Sequence, residues 1–188
     1  MTDDSVGFMC AWTEWFNAGN SRLPRVLEFG MGASTLFLRD RAEAIVSFEH
    51  DAEWFGRVVK MLEILDLPHP RAILAGRPYS DRIEAEAGTE KFDLISIDGR
   101  DRVACLREVL RLDLLAGDGI LVLDNTERIT THNGRYAGMA PLLRPDFNVV
   151  HFEQLGRDRA GWIPGHRWVT TIAWRRSGVQ YTTRGIPI

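Results

Sequence analysis

With 188 residues, 45% of them hydrophobic, the chain is long enough for one globular domain over residues 1–188 with a sizeable core and leaves little for a second. The acidic start Met1-Thr2-Asp3-Asp4 is unlike a secretory signal and no apolar run reaches bilayer length, so a cytoplasmic protein without a membrane partner is expected. Two cysteines, Cys10 and Cys105, make neither a disulfide framework nor a zinc cluster, and the net charge of −3, with arginines spread along the chain, argues against a nucleic-acid partner.

In chain order, Phe8, Trp12, Trp15 and Phe16 fall on one face of a helix that stops near Gly19-Asn20, so residues 1–20 form a cover for the domain. Val26 to Phe29 is an apolar strand that runs into Gly30-Met31-Gly32, and a short helix continues through Leu36 to Arg39. Ala44 to Glu49 is a second strand, and Trp54, Val58, Met61, Leu62 and Leu65 mark the apolar face of the next helix, closed by Pro68 and Pro70. Arg71 to Gly76 and Phe92 to Gly99 supply two more strands, and a helix follows from Arg102 to Leu112. Gly119 to Asn125 holds the most hydrophobic strand and is expected at the centre of the sheet. Asn148 to Glu153 and Trp168 to Trp174 have no helix between them and predict an antiparallel hairpin.

Strands alternating with helices imply a doubly wound α/β sheet, in which ligands bind beyond the carboxyl ends of the strands. Glu28, Glu49, Asp98 and Asp124 all fall there. Gly30 and Gly32 are expected to allow positive φ and close approach of backbone N–H groups to a ligand, with Ser34 and Thr35 capping the helix that follows. Two unit charges about 4 Å apart interact by roughly 4 kcal/mol at an effective dielectric of 20, so Glu28 at this turn repels a pyrophosphate and attracts an ammonium. S-adenosylmethionine carries that ammonium and no phosphate. Glu49 lies nineteen residues after Gly30, the spacing of an acid that binds a ribose diol, and His50 beside it can lie against an adenine ring or simply face solvent.

Asp98, Asp124 and Asn125 can gather around a hard cation such as Mg²⁺, or act without metal, a carboxylate taking the proton of a substrate hydroxyl or amine. His132, in the loop after the fifth strand, is a second candidate base, and His166 a weaker one. Arg100 and Arg102 either line the entrance for an anionic group or pair with neighbouring acids. Trp162 and Trp168 wall a substrate or fill the core.

These residues resemble the class I S-adenosylmethionine-dependent methyltransferases. Glu28 to Thr35 is similar to their first motif, Glu49 to their ribose-binding acid, Phe92 to Gly99 to their fourth strand, and Leu115 to Val122 to the entry of their fifth, with Gly117-Asp118-Gly119 in place of Pro-Gly-Gly. The resemblance implies a Rossmann-like seven-stranded sheet, mostly parallel with its last strand reversed, in three αβα layers. It implies Glu28 and the glycine turn at the methionine end of the cofactor, Glu49 on the ribose, His50 near the adenine and Asp98 near the sulfonium. Asp98 with Asp124 and Asn125 is similar to the metal site of catechol-type O-methyltransferases, but Asp101 stands where those enzymes carry lysine, so Mg²⁺ is not favoured.

The expected activity is methyl transfer to an O or N atom of a small molecule. The alternatives are an NAD-dependent oxidoreductase, disfavoured by Glu28 and by Thr35 at the third glycine position, and a non-catalytic cofactor-binding module. Residues 151–188 hold six basic and two acidic side chains, which favours an anionic acceptor. The first helix with loops 126–146 and 155–167 is expected to form the acceptor pocket, with room for a second subunit to complete it.

Overall fold

The computed structural model describes residues 1–128, 138–156 and 165–187. Seven strands form one sheet: β1 (Arg25–Phe29), β2 (Ala44–Glu49), β3 (Arg71–Leu74), β4 (Phe92–Ile97), β5 (Leu115–Leu123), β6 (Phe147–Leu155) and β7 (Arg167–Arg175). Their order is β3-β2-β1-β4-β5-β7-β6, parallel from β3 through β5, with β7 antiparallel to both β5 and β6. The doubly wound sheet and the reversed last strand thus follow the sequence expectation.

One face is covered by α1 (Asp3–Asn20), α2 (Ala33–Leu38) and α3 (Ala52–Ile64). Phe8, Trp12 and Phe16 of α1 pack with Val26, Leu94, Ile120 and Ile172 of the sheet, as their helical spacing predicts. The other face carries a 3₁₀ turn (Tyr79–Arg82), α4 (Ile83–Ala87), α5 (Arg102–Arg111) and α6 (Met139–Leu143). There Tyr79, Ile83, Cys105 and Val109 meet Leu27, Phe29, Ile95 and Leu121. Adjacent residues of each strand therefore enter different cores, which is why the inner strands are apolar without alternation.

Three expectations are corrected. The middle strand is β4, all six residues buried, and β5 lies beside it. Both are covered on two faces, so hydrophobicity alone could not rank them. Helix α3 buries only a narrow stripe, Val58 and Leu62, and leaves Trp54, Met61 and Leu65 about half exposed. The segment 79–87, given no structure from sequence, forms the turn and α4 that put Tyr79 and Ile83 into the core. Among the described residues no helix is long and apolar enough to cross a membrane.

Candidate active site

The site grows from a close approach of two turns. After β1, Gly30 turns the chain at φ +97° and its N–H donates to the Phe48 carbonyl at 2.8 Å. The Phe29 carbonyl in turn accepts from the N–H groups of Asp98, at 2.9 Å, and Gly99, at 2.6 Å. A Cβ on Gly30 would lie 2.6 Å from the Gly99 backbone, and one on Gly99 would lie 2.3 Å from the Tyr79 hydroxyl. The Gly30 position therefore requires glycine, and a side chain at Gly99 would have to displace the Tyr79 hydroxyl. Gly32 does not: its φ of 170° is extended backbone, and the expectation of positive φ there is corrected.

Glu28 has no exposed surface. Its carboxylate accepts hydrogen bonds from Ser34 Oγ at 2.6 Å, Thr35 Oγ1 at 2.6 Å and Ser47 Oγ at 2.8 Å. Burial raises its pKa, against the three hydroxyl bonds that favour the charged form. Two readings change as a result. Glu28 turns inward and ties the loop and the first turn of α2 to β2, so it offers no oxygen to an ammonium. Ser34 and Thr35 sit inside α2 rather than at its cap: Gly32 is the N-cap, and Thr35 Oγ1 accepts from its N–H at 2.9 Å.

Glu49 is equally absorbed by its own loop. One oxygen accepts from the N–H groups of His50 and Asp51, at 2.7 and 2.9 Å, and meets His50 Nδ1 at 2.6 Å. The other accepts from Met31 N–H at 3.2 Å, which couples the ends of β1 and β2. Asp51 caps α3 by accepting from Trp54 N–H at 2.9 Å, and the Trp54 indole donates to the Met31 carbonyl at 2.7 Å. Trp54, expected on the core side of its helix, instead stands over the glycine loop. Its position in the first turn after an acid-terminated strand was the signal available in the sequence.

At the ends of β4 and β5, Asp98 is 32% exposed and Asp124 is buried. Burial and the neighbouring Asp124 push the Asp98 carboxyl up to about 7, against the pull of Arg102. Asp124 accepts from Thr170 Oγ1 at 2.6 Å and pairs with the Met1 amino group at 3.3 Å. Arg102, only 4% exposed, reaches back from the start of α5. Its Nε donates to the Gly99 carbonyl at 2.9 Å, and Nη2 to the Asp98 carbonyl at 2.6 Å, Asp98 Oδ1 at 3.0 Å and Asn125 Oδ1 at 3.2 Å. Nη1 donates to the Asp124 carbonyl. Of the two readings of this arginine, ion pairing is the observed one. Asn125 takes a left-handed φ of 55°, which turns the chain after β5.

A divalent cation does not fit among these residues. Arg102 Nη2 already engages Asp98 Oδ1 and Asn125 Oδ1, and an ion of charge two about 4 Å from the guanidinium would be repelled by roughly 8 kcal/mol at an effective dielectric of 20. Among the described residues no group of three or more His, Cys, Asp or Glu side chains is arranged for a metal.

Two clefts open here. One, of about 410 Å³, is lined by Gly30, Gly32, Ser34, Trp54 and Asp98, with Met1, Val6 and Met9 of the amino-terminal segment closing one side. The other, of about 640 Å³, is lined by His50, Arg77, Pro78, Arg100 and Asp101. Of the predicted site residues, Gly30, Gly32, Ser34 and Asp98 thus face the first cleft and His50 the second, while Glu28, Thr35, Glu49, Asp124 and Asn125 lie behind the walls. Tyr79 supports both turns: its hydroxyl accepts from Arg100 N–H at 2.5 Å and its ring meets His50 edge-on at 5.9 Å. His166 lies away from either cleft, against Trp168 at 4.6 Å and 3.8 Å from Glu127. His132 and Trp162 lie outside the described residues.

No protein-family model matches the chain, and no curated protein matches it. Solved structures do share its fold. Cofactor-bound Rv0187 from MTB superposes with a TM-score of 0.68 at 21% identity, over 95% of this chain and 82% of that one. The O-methyltransferase TomG from Streptomyces achromogenes, involved in tomaymycin synthesis and solved with S-adenosylmethionine, gives 0.65 at 16% identity, over 92% and 78%. An rRNA methylase from Streptococcus thermophilus gives 0.61 at 15%, over 82% and 87%.

Proposed function

We propose that this chain, built on the fold of those solved structures, transfers a methyl group from S-adenosylmethionine to an O or N atom of a small-molecule acceptor. The observation that carries the reading is Asp98, a carboxylate on the wall of a cleft that begins at the glycine turn. The two clefts together suit an amino acid joined to a nucleoside. The amino-acid end lies over Gly30, Gly32 and Ser34, and the nucleoside end between His50, Arg77 and Pro78. The half-exposed Trp54 indole stands on the wall of the first cleft.

When bound, the cofactor supplies a methyl group activated by a sulfonium. The chain has three tasks left. Asp98 presents negative charge to the sulfonium of the cofactor. Met1, Val6 and Met9 narrow the cleft and exclude water from the acceptor atom, which favours a small acceptor over a nucleic acid. Asp98, with its carboxyl near 7, takes the proton of the attacking hydroxyl or amine at neutral pH. Most of the acceleration comes from holding acceptor and methyl group in line.

Glu49 takes a ribose diol by exchanging the His50 contact for the sugar hydroxyls, and the freed imidazole turns toward the base. The test is thermal stability with S-adenosylhomocysteine and with NADH in parallel, followed by product detection over an acceptor panel. A ligand at 100 times its dissociation constant adds about 2.7 kcal/mol, so the expected rise with S-adenosylhomocysteine is several degrees. A rise with NADH alone overturns the reading in favour of a dehydrogenase. Cofactor binding without product from any acceptor turns it toward a cofactor-binding module.

A further inference from the structure

We propose that Arg102 is the resident cation of the strand-end cluster, held where Asp98 and Asn125 would otherwise share a divalent ion, so that this protein works without a metal. The inference deepens the methyltransferase reading and rests on it for its catalytic consequence, though not for its geometry.

Three observations support it. First, the Arg102 side chain is only 4% exposed, and its guanidinium donates to five oxygens on both strand ends: the carbonyls of Asp98, Gly99 and Asp124, Asp98 Oδ1 and Asn125 Oδ1. A planar fork of donors suits oxygens spread over two strands, which an ammonium on a lysine stem could not bridge. Second, a single nitrogen, Nη2, touches both side-chain oxygens, at 3.0 and 3.2 Å, so the acid and the amide are turned toward one cation already. Third, one oxygen of Asp124, the remaining acid of the set, already accepts from the Thr170 hydroxyl, and the same carboxyl meets Asp98. An Mg²⁺ ion needs near-octahedral oxygen ligands at about 2.1 Å, and here one oxygen of each acid and the amide oxygen already accept from a donor, two of the three from the guanidinium itself.

Arg102 is thereby a positioning residue: it fixes one oxygen of Asp98 and the turn after β5, and leaves Asp98 on the cleft wall. Its removal has an outcome that loss of packing does not produce, the gain of a metal site. Mn²⁺ titration of the whole protein followed by electron paramagnetic resonance reads this directly. Wild type is expected to leave Mn²⁺ free at 100 µM protein and at least ~1 mM metal, and its S-adenosylhomocysteine shift should be the same in EDTA and in Mg²⁺. Arg102→Met, checked for folding by circular dichroism, should bind one Mn²⁺ at least tenfold more tightly than wild type, and adding Asp98→Asn should abolish that gain.

Wild type that binds Mn²⁺ with a dependence on Asp98 overturns the proposal, and so does a folded Arg102→Met that gains no site. Should that variant fail to fold, the wild-type titration with Asp98→Asn as its control decides alone. Failure of the methyltransferase reading shows separately, as the absence of any S-adenosylhomocysteine shift.

Discussion

The two halves of the sheet end in acids that are satisfied in opposite ways. At β1 and β2, Glu28 is held by three hydroxyls and Glu49 by three backbone N–H groups and an imidazole. At β4 and β5, Asp98 and Asp124 are held by a buried guanidinium, a threonine hydroxyl, an amino group and each other. Local donors draw the first pair into the protein and build the loops, and Glu49 meets a sugar only by giving up its imidazole contact. A cation shared between two strands fixes one oxygen and leaves the rest of Asp98 on the cleft. Scaffold and chemistry are thus divided between acids that look equivalent in the sequence.

The largest effect that tests this division is Asp98→Asn. Turnover should fall by about 10²- to 10⁴-fold while S-adenosylhomocysteine affinity stays within a few-fold, as read by steady-state kinetics and calorimetry. Full activity in this variant would remove Asp98 from the chemistry.

Next comes the scaffold side. Gly30→Ala puts a Cβ 2.6 Å from the Gly99 backbone at a positive φ, and should cost about 2–4 kcal/mol of stability by chemical denaturation. Glu28→Ala strands Ser34, Thr35 and Ser47 without their acceptor and should cost about 2–3 kcal/mol. If Glu28→Ala folds with native stability and loses only cofactor affinity, the carboxylate touches the ligand after all and the division between the halves fails.

A pH series sharpens the same comparison. Asp98 sits above its unfolded value, so the folded state holds the extra proton between about pH 4 and pH 7. Its contribution therefore makes stability fall as pH rises across that window, and Asp98→Asn should flatten the slope. Turnover should rise through about pH 7 as the same carboxyl loses its proton.

The smallest effect is expected of Trp54→Phe, which removes the indole bond to the Met31 carbonyl and keeps the ring. About 1 kcal/mol of stability and a loss of cofactor affinity of several-fold should follow.

Much of this was legible in the residues. Apolar strands alternating with helices, Gly30 at the first turn, acids at the strand ends and two β runs with no helix between them determine a doubly wound sheet ending in an antiparallel hairpin, because burial on two faces and backbone reach are local properties of composition and spacing. Trp54 and α4 were less legible, since a helix that buries two residues and a five-residue helix carry little periodic signal. Only the tertiary structure decided which acid faces the cleft. That choice depends on donors brought from far along the chain: Ser47 to Glu28, Thr170 to Asp124, and Arg102 across two strands. A carboxylate's orientation is set by the hydrogen-bond donors that surround it, and those neighbours exist only once the strands have paired.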